Sequence, residues 1–135
     1  MASQKQLRLV LVTPEKTLMD EPVESLRFPL FDGQIGVLPG RAPLVGRLGE
    51  GELHIERDSD SLSYFIDGGF VQIKGEVVTL LTNRAIPTSQ LTSQAADAAL
   101  TAAFALKPTS DVEFAAKEKA VRRARQMLTL AKKPH

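Results

Sequence analysis

Gly46 and Gly51 stand at the G-x-x-x-x-G spacing of a phosphate-binding loop. Such a loop needs Lys and then Ser or Thr directly after its second glycine, so that a cation reaches the phosphates and a hydroxyl reaches Mg2+. Glu52 and Leu53 occupy those two places, and a carboxylate there repels phosphate. His54 and His135 are the only histidines, and there is no cysteine. A metal centre needs several converging donors, so His54 reads as a solvated strand residue. With no thiol and so little histidine, cysteine and Ser-His-acid nucleophiles have no footing. Asp58 and Asp60 are a carboxylate pair, but they lie in Asp58-Ser59-Asp60-Ser61, a turn cluster where solvation is the simpler role. No catalytic, cofactor or metal site is therefore expected, and the chain is not expected to be an enzyme.

One set of charged residues remains. Lys117, Lys119, Arg122, Arg123, Arg125, Lys132 and Lys133 crowd the C-terminal stretch. They form a solvated helix face or a docking surface for an acidic partner. Nucleic acid could supply that acidity, but recognition of single strands calls for interleaved aromatics. The tail offers only Phe104 and Phe114, so an acidic protein is the expected partner.

The elements that carry these residues divide into two kinds. Residues 7–86 read as short strands: Leu7–Thr13, Val23–Phe28, Leu53–Arg57, Leu62–Ile66, Phe70–Ile73 and Val77–Leu81. Pro14-Glu15-Lys16, Asp58–Ser61, Asp67-Gly68-Gly69 and Lys74-Gly75-Glu76 punctuate them. Turns at intervals of about 8–12 residues suit a sandwich or barrel. Between Phe28 and Leu53 the chain carries six glycines and three prolines among apolar residues, which describes short strands joined by tight turns, with a rigid loop displayed at one end.

After Pro87 the period becomes helical. Leu91, Ala95, Ala98, Ala102 and Leu106 form one expected stripe, ended by Lys107-Pro108. Ser110-Asp111-Val112-Glu113 is a capping box that opens a second helix. Its expected stripe is Val112, Ala116, Ala120, Ala124, Met127, Leu128 and Ala131, with Glu113/Lys117 as a stabilising i,i+4 pair. The expected fold is thus α+β: an antiparallel β-sandwich over 1–86 and a two-helix hairpin over 87–135. Alanine faces bury little area, so the hairpin is expected to be marginally stable and detachable.

The 135 residues carry a net charge of +1, and 43% are hydrophobic, enough to bury a core. Residues 1–86 hold nine Lys/Arg against twelve Asp/Glu, while 87–135 hold eight against four. The sign of the charge reverses where the period changes. The N-terminus reads as neither signal nor transit peptide, and no segment approaches the ~20 apolar residues of a membrane span. Any membrane association is expected to come through partners.

Gly33-x-x-Gly36-Val37-Leu38-Pro39-Gly40-Arg41-Ala42-Pro43-Leu44-Val45, then Leu48-x-x-Gly51-x-Leu53-x-Ile55, resembles the signature of the epsilon subunit of F-type ATP synthases. The likeness continues through Gly68-Gly69-Phe70-Val71, Val77–Leu81 and the alanine-rich tail. It implies a non-catalytic rotor subunit that couples ion flow to ATP synthesis. It implies the gamma subunit and the membrane c-ring as partners, and a peripheral place on the cytoplasmic face of a bacterial inner membrane, with a plastid thylakoid as the alternative. The family's loop near the c-ring falls on Asp32, Gln34, Ile35, Pro39, Arg41 and Pro43. Here Arg41 stands where histidine is usual, and Gln34 where an acidic residue is common. The family's helices can inhibit ATP hydrolysis by meeting the catalytic alpha/beta subunits, which makes Arg122, Arg123 and Arg125 the candidate contacts. Some bacterial members bind ATP through Ile/Leu-Asp-x-x-Arg-Ala; Leu91-Thr92-Ser93-Gln94-Ala95-Ala96 lacks both the acid and the arginine, so no ATP binding by the tail is expected. Apart from the resemblance, the residues also fit a free-standing β-sandwich binding module with a basic helical arm for anionic partners.

Overall fold

The computed structural model describes residues 6–40 and 42–132; Arg41, Lys133 and His135 lie outside the described residues. The chain divides into two units, Met1–Ala85 and Ile86–His135.

The first unit is a β-sandwich of seven main strands. They are β1 (Leu7–Val12), β2 (Thr17–Val23), β3 (Ser25–Leu30), β4 (Gly33–Val37), β5 (Leu44–Glu56), β6 (Ser61–Lys74) and β7 (Val77–Leu81). Their order is β2-β1-β7-β6-β5-β3-β4. In β1 the side chains alternate, so Leu7, Leu9 and Leu11 enter the core while Arg8 faces water. The same period sends Leu26 and Phe28 of β3, Leu53 and Ile55 of β5, and Val78 and Leu80 of β7 into one cluster. Neighbours pair antiparallel with one exception: β1 runs parallel to β7, Leu9 beside Val78 and Leu11 beside Leu80.

Three boundaries differ from the sequence reading. Thr17–Val23 pairs along the whole of β1 as an edge strand, although its apolar residues do not alternate and it contains Pro22. An edge tolerates proline because its free N–H side faces away from the ladder. The turn-rich stretch yields β4 and the first half of β5, which begins at Leu44 rather than Leu53. Gly68-Gly69 does not break the chain, and β6 runs straight through it. Gly69 has φ +116°, and a Cβ there would sit 1.9 Å from the carbonyl oxygen of Leu81. The glycine is needed for close approach of two strands, not for a turn. Beside it the Thr82 hydroxyl, buried, donates to the Gly68 carbonyl at 2.7 Å and accepts from the Asp67 N–H at 3.3 Å.

The second unit holds α1 (Ser93–Phe104) and α2 (Asp111–Lys132), which pack together. Thr92 caps α1, its hydroxyl accepting from Ala95 N–H at 3.1 Å. Ser110 caps α2 by accepting from Glu113 N–H at 3.2 Å, and the Glu113 carboxylate reaches back to accept from Thr109 N–H at 2.7 Å. The capping box therefore forms, displaced by one residue on its return bond. That use of Glu113 removes the expected Glu113/Lys117 pair; the Lys117 ammonium instead donates to the Leu106 carbonyl at 3.0 Å.

The helical stripes are corrected in register. In α1 the buried alanines are Ala96 and Ala103, whereas Ala95, Ala98 and Ala102 are exposed. Alanine occurs on every face of α1, so its spacing does not single out one. In α2 the expected stripe holds from Ala120 to Ala131, with Ala124 buried and Ala120, Met127, Leu128 and Ala131 half-buried, while Leu130, outside that stripe, is buried as well. Its start is open: Val112 is 80% exposed.

Candidate functional site

The six loop residues do not form one loop. Asp32 lies in the β3–β4 turn, Gln34 and Ile35 lie within β4, and Pro39 follows the far end of that strand. β3 and β4 pair from Leu30↔Gly33 to Leu26↔Val37, so β4 separates Asp32 from Pro39 by its full length. Pro43 directly precedes β5. β4 is the last strand of the sheet path. Asp32, Gln34, Pro39 and Pro43 are exposed and Ile35 is half-buried. What the residues share is an edge and its two ends, with Arg41 outside the described residues.

The arginines of α2 separate as well. A helix turns about 100° per residue, which places Arg122 and Arg125 close together and Arg123 well around the cylinder. Arg122 and Arg125 line a groove of about 460 Å3 with Phe114, Lys117, Glu118 and Val121. Arg125 also lies over the Phe104 ring, 5.6 Å from its centroid, which ties it to α1. Arg123 is half-buried on another side. Of the three candidates, two form a basic and apolar stripe and one does not join it.

The groups tested for catalysis are engaged structurally. Gly46 to Gly51 lies inside β5, extended, with no helix start to bind phosphate. His54 Nε2 pairs with Glu56 at 2.5 Å on the same side of β5; it is 25% exposed and paired, rather than simply solvated. Asp60 is no free carboxylate either. Arg57 grips both of its oxygens at 2.7 and 2.6 Å and also reaches Glu21 of β2 at 2.6 Å. The hydrogen bonds from Arg57 hold the Asp60 carboxyl below its usual range, and those to Asp60 and Glu21 raise the Arg57 guanidinium. Glu24 is pushed up by its hydrogen bond with Asp58, then by desolvation and by the charges of Asp58 and Glu56. Among the described residues, no three His, Cys, Asp or Glu converge as a metal site. Nor is any described helix long and apolar enough to cross a membrane.

Residues 6–88 match the model of the ATP synthase delta/epsilon chain β-sandwich domain. Over 122 residues the sequence is 43% identical to the ATP synthase epsilon chain of Rhodopirellula baltica, covering 90% of this chain and 95% of that one. The chain belongs to the ATP synthase epsilon family.

Solved structures share the epsilon-family fold. A chain of the Euglena gracilis mitochondrial ATP synthase, from a structure of its OSCP, F1 and c-ring, superposes with a TM-score of 0.83 at 24% identity. That match covers 96% of this chain and 83% of the other. A chain from the central stalk and c-ring of the Tetrahymena thermophila enzyme gives 0.78 at 12% identity, covering 98% and 100%. At the start of α1, Thr92 spends its hydroxyl on capping the helix.

One exposed set is not legible in the glycine and proline punctuation of 28–53. Arg47 of β5 stands over the Phe31 ring, 5.7 Å from its centroid, and its carbonyl accepts from Phe31 N–H at 3.0 Å. Starting β5 at Leu44 would have revealed an alternation with Val45 and Arg47 facing outward.

Proposed function

We propose that this chain is a non-catalytic central-stalk subunit of an F-type ATP synthase, joining gamma and the c-ring and helping couple ion flow to ATP synthesis. The observation that carries the reading is the 43% identity over nearly the whole chain to a bacterial epsilon chain. The named central-stalk and c-ring assemblies in which similar folds occur support it further. The β4 edge, with Asp32, Gln34, Ile35 and Pro39, is the surface proposed to meet the c-ring. The stripe of Arg122 and Arg125 on α2 is proposed to meet an acidic segment of the catalytic alpha/beta subunits and restrain ATP hydrolysis. The tail binds no ATP on this reading, since Thr92 and Ala95 offer neither a carboxylate nor a guanidinium. The subunit is peripheral, held at the cytoplasmic face of a bacterial inner membrane by its partners.

Co-purification with gamma tests the assignment. The full chain is expected to form a stable complex with the gamma subunit of the same synthase. Removing residues 88–135 is expected to leave that complex intact and to raise ATP hydrolysis by the assembled enzyme. Loss of assembly on truncation would refute the division of labour between sandwich and helices.

A further inference from the structure

Cations of the α2 groove are held from outside it. Its lining side chains belong to α2, yet Lys117 and Arg125 are both anchored to the end of α1. Arg125 lies over the Phe104 ring, and the Lys117 ammonium donates to the Leu106 carbonyl. Phe104 is the last residue of α1, and Leu106 follows its C-cap, Ala105. Among the described residues, neither Phe104 nor Leu106 lines the groove. The end of α1 therefore grips the two cations from behind and leaves their groove side open. Phe104 is 51% exposed, so burial in a core does not account for an aromatic residue there.

The two anchors suit their cations by different physics. A ring face attracts a guanidinium through its quadrupole. Carbonyls at a helix C-terminus carry the negative end of the helix dipole and attract an ammonium. Both contacts leave donors over. A guanidinium above a ring keeps N–H groups that point outward in its own plane, and an ammonium that gives one hydrogen keeps two. A long side chain normally loses its rotamer freedom when a partner fixes it; here part of that freedom is already lost on folding. Charge then sets what the groove receives. Lys117, Arg122 and Arg125 outweigh Glu118, while Phe114 and Val121 supply apolar contact. An acidic peptide with apolar residues among its carboxylates matches both.

We infer that Phe104 is a positioning residue for acidic-partner docking: its ring fixes the Arg125 guanidinium at the groove, so that the two-helix hairpin, rather than α2 alone, is the docking unit. The inference rests on the reading of α2 as the surface for an acidic segment, and adds how that surface is assembled. The same contact could serve the hairpin alone, as one more tie between α1 and α2. Affinity for an acidic peptide would then not follow the ring, and a double-mutant cycle with Arg125 separates the two roles.

The test measures binding of the full chain to a fluorescein-labelled peptide of glutamate and leucine, by anisotropy at low salt. Phe104→Leu is expected to weaken binding ~3-fold, the loss from one long side chain no longer held in place. Phe104→Tyr, which keeps the ring face, is expected to bind like the unaltered chain. In an Arg125→Gln background, Phe104→Leu is expected to cost nothing further, because the ring then has no cation to hold. A loss that persists in that background would mean that the ring acts through hairpin packing, and would overturn its role toward Arg125. Equal binding by Phe104→Leu alone would overturn it as well. So would tighter binding, which would show ring and partner competing for the guanidinium. If the unaltered chain does not bind the peptide, the acidic-docking reading of α2 itself fails and Phe104 has nothing to position.

Discussion

Gly69→Ala is the substitution on which the close approach of β6 and β7 can be measured. The new Cβ would lie 1.9 Å from the Leu81 carbonyl oxygen, 2.8 Å from Thr82 Cα and 2.9 Å from Leu81 C. All three are backbone atoms, so no side-chain rotation relieves the overlap. Either β7 moves or β6 does. Holding a residue other than glycine at φ +116° costs about 1–3 kcal/mol. Forcing the strands apart costs about 1–3 kcal/mol more, the usual range for an overpacked core. The sum, about 2–6 kcal/mol, is a large fraction of the 5–15 kcal/mol typical of a domain. Urea unfolding followed by tyrosine fluorescence reads the right unit, because Tyr64 of β6 is the only tyrosine and there is no tryptophan. With a slope near 2 kcal/mol/M, a loss of 3 kcal/mol lowers the midpoint by about 1.5 M. Gly36→Ala is the control: nothing lies within 4 Å of its Cβ, and its effect should stay within about 0.5 kcal/mol. If Gly69→Ala falls within that same limit, the argument from close approach is wrong.

Two more perturbations test neighbouring features. Thr82→Val keeps the shape but leaves the Gly68 carbonyl without its buried donor. It should cost about 1–3 kcal/mol by the same unfolding assay, and a change under a few tenths would mean water replaces the hydroxyl. Glu24→Gln examines the carboxyls at the β2–β3 turn. The Glu24 carboxyl is raised in the fold, so the folded state holds its proton more tightly than the unfolded one. Its stabilising share is complete below the ordinary glutamate range and is lost as pH rises through the raised value. Glutamine keeps a donor toward Asp58 at every pH. The variant should therefore melt higher than the unaltered chain at about pH 7 and show little advantage at about pH 3.5. An equal gain at both pH values would remove the carboxyl pair as the cause.

Much of the fold was legible because its signals are local. Alternation in Leu53–Glu56, the β-branched start of Val77–Leu81, the capping box at Ser110 and the stop at Pro108 each decide themselves within a few residues. What was not legible depends on partners distant in sequence. β2 has no alternation, and its place follows from its ladder to β1. Gly68-Gly69 looks like a turn until Leu81 is brought against it. The α1 stripe was misplaced because alanine supplies no contrast between faces. The candidate site suffered in the same way. Charge clustering found α2, but only helical geometry separates Arg123 from Arg122 and Arg125. Phe31 and Arg47 are sixteen positions apart, and only the sandwich brings the cation over the ring.

The parallel pairing of β1 with β7 has a consequence for how the chain is made. Leu11 and its partner Leu80 are 69 positions apart. At about 5–20 residues per second, β1 emerges from the ribosome several seconds before β7 exists. Through that interval β1 has only β2 as a ladder partner, and its second edge waits for Val78 and Leu80. Long-range pairing of this kind also slows folding, since the loop must close before any contact rewards it. The nascent chain thus passes through a window in which its first strand is half-paired and apolar.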